Sequence, residues 1–252
     1  MSGHSKWSTI KHGKAVTDAR RGKLFTKLAK EIIVAARDGG PDPDSNFRLR
    51  LAVQRAKDSN MPASNIERAI NRATGADSDG ARMEEVMYEG YGPGGTAVLL
   101  QALTDNRNRT VSDIRSTFTK MGGNLASAGA VAWQFEQKGV VVVEADEDPD
   151  ELTLIAIDAG ADDFETIDST LHAYSPPDTL EALRRAMADS GAEVRSSELT
   201  MVPTNTVMLD DKTAKQALNL LDQLEELDDT QKIYSNADFP DEVLTSYGNE
   251  SG

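Results

Sequence analysis

Thr96-Ala97-Val98-Leu99-Leu100-Gln101-Ala102-Leu103 is the stretch of sequence that decides the fold. Its run of apolar residues has the length and composition of a buried strand. After it, Val111, Ile114, Phe118 and Met121 recur at the spacing of one helical face. A buried strand followed directly by an amphipathic helix indicates that the chain contains an α/β region here.

Strands and helices alternate through the rest of the chain. The predicted strands cover residues 131–137, 140–144, 163–167, 170–174, 193–202 and 231–235, with a tight hairpin at Lys138-Gly139 between the first two. Helices with apolar stripes are predicted from Leu152 to Ala159, from Leu180 to Met187 and from Ala214 to Leu224. This alternation predicts an α+β multidomain fold.

The first 75 residues carry a helical pattern instead. Apolar residues at four-residue spacing predict one long helix over residues 14–38. Two further helices are predicted around apolar stripes at residues 49–56 and 66–73, with an interruption at Asn60-Met61-Pro62 and a capping box of Ser64 and Glu67 before the second stripe. The Gly-, Ala- and Asp-rich stretch 74–82 is the expected linker to the strands.

Charge is divided unevenly along the chain. Residues 1–75 hold 15 Lys and Arg against 7 Asp and Glu, a net of +8, so residues 76–252 hold 12 against 35, a net of −23. Binding to a polyanion depends on local potential, which is screened over roughly 8 Å at physiological salt. The N-terminal part is therefore expected to bind polyanions although the whole chain carries −15.

Several other classes of protein are disfavoured by what the sequence lacks. There is no cysteine, and no apolar run approaches the roughly 20 residues of a membrane span, so we expect a cytoplasmic protein without a membrane partner. His4, His12 and His172 form no metal-ligand pattern, and no nucleophile elbow or Walker lysine is present. We expect no enzyme, no cofactor, no metal and no small-molecule substrate.

A basic cluster with an aromatic residue opens the chain. Its members are Lys6, Trp7, Lys11, His12, Lys14, Arg20, Arg21, Lys23, Lys27 and Lys30. Such a cluster can neutralise several phosphates, while the indole can stack on a base. The alternative is a solvated helix face, which is common for basic runs.

Two loops invite comparison with phosphate sites. The glycines from Glu89 to Gly95 precede a strand rather than a helix, so they indicate a structural turn. The segment from Asp105 to Thr110 lies between a strand and a helix, where Arg107, Arg109 and free helix amides are suited to hold an anion. Helix capping, by Asn108 or by a capping box of Thr110 and Asp113, is the alternative.

Motifs spread along the whole chain resemble those of the YebC/PmpR family. They are Gly3-His4-Ser5-Lys6-Trp7, Lys11-His12, Asp18-Ala19-Arg20-Arg21-Gly22-Lys23, Tyr88-Glu89-Gly90-Tyr91-Gly92-Pro93-Gly94-Gly95, Asp105-Asn106-Arg107-Asn108-Arg109-Thr110 and Met121-Gly122-Gly123-Asn124-Leu125. Their length and common order identify the chain as a member.

The resemblance implies a helical N-terminal domain and two α/β domains, the middle one completed by the C-terminal segment. The expected boundaries are 1–75, 82–134 plus 205–240, and 135–204, followed by a loose acidic tail over 241–252. It also implies a regulator of gene expression, either a DNA-binding transcriptional regulator or a ribosome-associated translation factor that binds rRNA. By resemblance, Lys6, Lys11, His12, Lys14, Arg20, Arg21 and Lys23 become the preferred contacts, with Arg107 and Arg109 as a second site. The oligomeric state stays open, a monomer included.

Overall fold

The computed structural model describes residues 18–74, 83–145, 149–167 and 169–250, with the side chains of 18–20 and 248–250 left out. Its α-helices are α1 (Asp18–Gly39), α2 (Phe47–Asp58), α3 (Ala63–Thr74), α4 (Arg107–Lys120), α5 (Pro149–Asp158), α6 (Leu180–Asp189), α7 (Asp211–Glu225) and α8 (Asp241–Glu250). Its strands are β1 (Glu84–Tyr91), β2 (Ala97–Thr104), β3 (Asn124–Leu125), β4 (Phe135–Glu144), β5 (Asp163–Ile167), β6 (Thr170–Ser175), β7 (Val194–Pro203), β8 (Val207–Met208), β9 (Thr230–Ser235) and β10 (Ala237–Asp238). The predicted α+β multidomain class, with a helical N-terminal part followed by α/β regions, is confirmed.

Helices α1, α2 and α3 bury one shared apolar core, which includes Leu28, Ile32 and Leu49. The buried side chain of Asn46 accepts the Leu49 N–H at 3.0 Å and donates to the Ala35 carbonyl at 2.8 Å. It thus caps α2 and ties its start to α1. The predicted capping box is wrong, because α3 begins at Ala63 and therefore contains Ser64. Thr74, the first residue of the predicted linker, ends α3. Residues 14–17 and the remaining linker residues 75–82 lie outside the described residues.

The first four-stranded sheet has the order β3-β1-β2-β9, and its neighbouring strands are antiparallel. A short 3₁₀ turn, Pro93–Gly95, joins β1 to β2. Gly94 and Gly95 adopt φ of 74° and 75°, a backbone region in which glycine avoids the clash that a side chain would cause. The glycines after Glu89 therefore build a turn, and β1 is a strand that the sequence pattern did not single out.

Helices α4, α7 and α8 pack on one face of this sheet. Ile114 and Phe118 of α4 and Leu221 of α7 are buried there together with strand residues of β2. The prediction of a loose tail is wrong for residues 241–250, because α8 buries Val243 and Leu244 in the same core. The burial of these two apolar residues in the shared core stabilises an otherwise acidic helix.

The second four-stranded sheet has the order β5-β6-β4-β7 and is covered by α5 and α6. The predicted hairpin at Lys138-Gly139 is wrong, since β4 runs straight through both residues. Gly139 is paired with Ser175 on one side and Leu199 on the other. A Cβ at this glycine would lie 2.8 Å from Leu180 Cβ of α6. The glycine therefore serves close packing between helix and strand, not a turn.

Arg55 of α2 lies where the helical part meets both sheets. Its guanidinium is 3.3 Å from Glu31 of α1 and 3.8 Å from Glu198 of β7. Glu198 also accepts a hydrogen bond from Lys232 of β9 at 2.7 Å. Burial opposes the charge of Arg55, but the carboxylates of Glu198 and Glu31 outweigh it and raise its pKa. The ion pairs hold a charged residue at this junction.

Among the described residues, no helix has both the length and the apolar composition that crossing a membrane requires.

Candidate nucleic-acid interface

The predicted interface divides between residues inside and outside the described part of the chain. Lys6, Trp7, Lys11, His12 and Lys14 lie outside the described residues, and only the backbone of Arg20 is described. Arg21 and Lys23 lie exposed at the start of α1. The structure therefore describes only the C-terminal part of the basic cluster.

Three lysines of α1 contact the acidic segment at the end of α7. Lys23 Nζ lies 2.6 Å from Glu226 Oε2, and Lys27 Nζ donates to the Glu225 carbonyl at 2.6 Å. Lys30 Nζ donates to the Asp228 carbonyl at 2.9 Å. The last carbonyls of a helix carry a partial negative charge that favours cations. This lysine face of α1, defined by Lys23, Lys27 and Lys30, is thus bound to the chain's own anionic helix terminus.

Asp229 contacts side chains of both α1 and α4. Its carboxylate lies 3.2 Å from Lys30 Nζ and 2.8 Å from an Arg109 guanidinium nitrogen, and it accepts the Thr110 hydroxyl at 2.7 Å. Burial raises the pKa of Asp229, but hydrogen bonds from Arg109, Thr110 and Lys30 outweigh burial and lower it below the ordinary value. The carboxylate links α1 to the start of α4.

Arg109 therefore binds carboxylates of the chain itself. A guanidinium nitrogen is 2.8 Å from both Asp229 and Asp105, and these hydrogen bonds raise the pKa of Arg109. Asn106 caps α4 by accepting the Arg109 N–H at 3.1 Å, so the predicted caps at Asn108 and Thr110 are wrong. The carboxylates of Asp229 and Asp105 therefore bind the Arg109 guanidinium, which was expected to hold an external anion.

Arg107 lies apart from Arg109, on an open cleft of about 410 Å³ between the end of α1 and the start of β1. It lies 3.4 Å from Glu84. Asp38 and Glu85 also line the cleft, and Arg37 adds a second cation. Three carboxylates against two guanidinium groups make the cleft unfavourable for phosphate.

Some basic side chains are exposed and form no ion pair within the part of the chain that the structure describes. They are Lys57, Arg72, Arg115, Lys120, Lys212 and Lys215. Sequence reasoning had singled out none of them. Arg115 and Lys120 had a detectable signal, because they lie in residues 114–135, which contain no Asp or Glu in an otherwise acidic chain.

Comparison with known proteins defines the family. The chain matches the model of the TACO1/YebC protein N-terminal domain over residues 5–76 and that of the TACO1/YebC second and third domain over residues 83–237. The chain therefore belongs to the TACO1/YebC family, as its motifs predict.

Its relatives extend over the whole chain. A probable transcriptional regulatory protein of Dehalococcoides mccartyi strain CBDB1 is 55% identical, with 100% of both chains covered. Another, of Halothermothrix orenii, is 52% identical over 97% of this chain and 98% of its own. The crystal structure of a conserved hypothetical protein from Aquifex aeolicus is similar with a TM-score of 0.83 at 46% identity, covering 89% of this chain and 93% of that one.

Proposed function

We propose that the protein is a nucleic-acid-binding regulator of gene expression, a cytoplasmic, non-enzymatic protein that acts as a DNA-binding transcriptional regulator. The main observation that supports this proposal is the separation of charge, with a net of +8 in residues 1–75 and −23 in the remainder. The name of its relatives, probable transcriptional regulatory proteins, supports a regulatory role.

The contacts that we propose lie mainly before the lysine face of α1. They are Lys6, Trp7, Lys11, His12, Lys14, Arg20 and Arg21. Lys23, Arg107 and Arg109 are less suited, because each is paired with a carboxylate of the chain. Phosphate contacts of this kind release counterions, so binding is expected to weaken steeply with salt and to carry little sequence information.

The domain division that we propose is 1–75, 82–134 plus 205–240, and 135–204. It is supported by β9, which pairs with β2 at the centre of the first sheet, and by α7, which covers that sheet. A chain that returns to complete its middle domain holds the acidic end of α7 against α1.

A ribosome-associated translation factor that binds rRNA is the second candidate. The acidic remainder of the chain favours this candidate. Residues 76–252, with a net charge of −23, are repelled by duplex DNA, whereas a ribonucleoprotein offers protein as well as phosphate partners. In this role the N-terminal basic cluster binds rRNA.

Sucrose-gradient sedimentation of lysate, at low and moderate salt, separates the candidates. The test variant changes Lys11, Lys14, Arg20 and Arg21 to Ala, and the matched control changes the exposed Lys57, Arg72, Lys212 and Lys215, which removes the same charge elsewhere. If the wild type and the control variant co-migrate with ribosomes and the test variant does not, the protein is a ribosome-associated translation factor.

The transcriptional role predicts a different result. The wild type then stays at the top of the gradient at both salts and shifts promoter fragments, while the test variant does not shift them. Equal behaviour of the two variants in both assays would contradict binding through the N-terminal segment.

A further inference from the structure

Helices α2 and α3 are joined by a short turn, residues 59–62. Asn60 has a φ of 57°, in the left-handed region. Its N–H donates to the Lys57 carbonyl at 2.8 Å, and the Met61 N–H donates to the Ala56 carbonyl at 2.9 Å. These two bonds form a Schellman motif, which ends one helix and redirects the chain. Because the Met61 side chain is also buried in the core of the three helices, the turn is fixed on both sides.

The two helices and their turn have the arrangement along the chain of a DNA-binding helix-turn-helix, in which three or four residues join the helices. The apolar side of α3, formed by Ile66, Ala69 and Ala73, is buried in the core that α1 and α2 share. In the DNA-binding motif the second helix lies in the major groove and contacts base edges with its outer side. In this chain the second helix is α3.

The outer side of α3 is polar and exposed. Ser64, Arg68 and Asn71 follow one another at spacings of four and three residues, which places them together on one side of the helix. This side lies opposite the buried residues, and all three side chains are exposed. Glu67, the only acidic residue of α3, borders it. We call Ser64, Arg68 and Asn71 the outer face of α3.

The polar groups of this outer face are available to a partner. Within the part of the chain that the structure describes, Arg68 forms no ion pair, and its guanidinium donates a long hydrogen bond, 3.4 Å, to the Asn65 side chain. The side-chain amide of Asn71 forms no hydrogen bond with any described residue. Lys23 and Arg109 differ, because carboxylates of the chain bind both of them.

The side chains of the outer face are of the types that read base edges. Arginine donates two hydrogen bonds to guanine O6 and N7, asparagine pairs with adenine N6 and N7, and serine bonds to several bases. The bordering carboxylate of Glu67 can accept a hydrogen bond from the cytosine amino group.

The shape of α3 favours duplex DNA as the partner. An α-helix, roughly 10–12 Å across with its side chains, fits the major groove of B-form DNA, which is about 12 Å wide. The major groove of double-stranded RNA is too deep and narrow for side chains to read. Unpaired bases are bound by stacking on aromatic rings, and α3 contains none.

We propose that α3 is a recognition helix that reads the major groove of duplex DNA, with Arg68 and Asn71 bonding to base edges. This inference rests on the proposed DNA-binding function and deepens it, because the phosphate contacts proposed for the basic cluster carry no sequence information. That cluster begins before α1 in the sequence. Homeodomains have the same order, a basic arm followed by three helices of which the third reads the major groove.

Selection from random DNA tests the proposal. The full-length wild type is used to enrich duplexes from a library of random sequence. A fluorescein-labelled duplex of the enriched sequence is then compared with a scrambled duplex of the same composition by fluorescence anisotropy. The wild type is expected to bind the enriched duplex at least about tenfold more tightly than the scrambled one.

Substitutions on the outer face supply the second readout. Arg68→Ala with Asn71→Ala is expected to weaken binding of the enriched duplex about tenfold or more, because each residue contributes base contacts. Arg115→Ala with Asn219→Ala is the matched control, since it removes the same two residue types from exposed positions on α4 and α7. Both double variants are expected to bind the scrambled duplex equally. Alanine favours helices, so both are expected to stay folded, which thermal unfolding checks.

Base methylation locates the contact within the groove. Dimethyl sulfate methylates guanine N7 in the major groove and adenine N3 in the minor groove. Methylation of particular guanines in the enriched duplex is expected to block binding of the wild type. The interference at the guanine that Arg68 contacts is expected to disappear in Arg68→Ala.

The outcomes separate the inference from the proposed function. An enriched duplex whose binding falls equally in the two double variants would overturn the recognition helix and leave DNA binding standing. Salt-sensitive binding of every duplex, with no sequence enriched, would do the same. Interference confined to adenine N3 would overturn the assignment to the major groove. Failure of the wild type to bind any duplex would overturn both the inference and the DNA-binding function.

Discussion

Lys23 Nζ of α1 lies 2.6 Å from Glu226 Oε2, across a separation of 203 residues in the chain. Both side chains are about half exposed, 48% and 51%, so the pair contributes only about 0–1 kcal/mol to stability. The hydrogen bond to Glu226 raises the pKa of Lys23. Its larger consequence is competition, because a phosphate that approaches Lys23 must displace this carboxylate.

Glu226→Gln is therefore expected to strengthen nucleic-acid binding severalfold at low salt. The substitution removes the negative charge that occupies Lys23, so that the lysine becomes available to phosphate. Fluorescence anisotropy with labelled nucleic acid over a salt series measures the change. Glu242→Gln, an exposed change of the same charge on α8, is the control. An equal gain in both variants would show that only net charge matters.

Asp229→Asn is expected to lower the free energy of unfolding by about 1–3 kcal/mol, because it weakens hydrogen bonds with charged partners at a mostly buried site. Lys30, Arg109 and Thr110 lose their common carboxylate partner. Urea unfolding at neutral pH measures the loss. Asp228→Asn, at the exposed neighbouring position, is expected to change stability by less than about 0.5 kcal/mol.

The Asp229 contribution also depends on pH. The folded protein lowers the pKa of Asp229, so its stabilisation is present above the ordinary aspartate value of about 3.9 and is lost as the pH falls through the folded value. Wild type and Asp229→Asn should converge in stability below that range. A constant difference down to strongly acidic pH would contradict a role for the charge.

Glu89→Gln is expected to destabilise the protein by about 2–3 kcal/mol, since an amide cannot accept all the N–H groups that the carboxylate accepts. Because the fold lowers the pKa of Glu89, the wild-type advantage is lost as the pH falls below the ordinary glutamate value of about 4.3. Chemical denaturation at several pH values tests this. Glu136→Gln, exposed on β4, should change little.

Gly139→Ala is expected to destabilise the protein by about 1–3 kcal/mol through overpacking. The added Cβ would lie 2.8 Å from Leu180 Cβ, a backbone-proximal atom that cannot move away easily. Gly22→Ala supplies a contrast, because nothing lies within 4 Å of a Cβ there and alanine favours a helix by about 1 kcal/mol. Thermal unfolding should shift down for the first variant and up for the second.

Local pattern was sufficient for most elements. Apolar spacing identified α1 from Leu28 and Ile32, and the apolar run identified β2. Local pattern failed at Gly139. This glycine was interpreted as part of a turn, but it lies within a strand, where the close approach of α6 requires it. Local pattern failed again at α8, where Val243 and Leu244 become buried only because α7 and the first sheet are there to receive them.

The candidate site shows the same division. Sequence alone located the basic segment and Arg109, since residue type and charge are local properties. It could not show that Arg109 and Lys30 share Asp229. Nor could it show that the N–H groups of Gly129, Val131 and Ala132 are bound by Glu89, which lies about forty residues earlier in the chain.

By itself the sequence determined most of the helical and strand segments, the charge separation and the family, because periodicity, composition and motifs are encoded along the chain. Only the tertiary structure decided that the lysines of α1 are bound by the chain's own acidic segment at the end of α7. Ion pairing depends on distance in space, and Lys23 meets Glu226 because β9 returns to the first sheet and holds the end of α7 against α1.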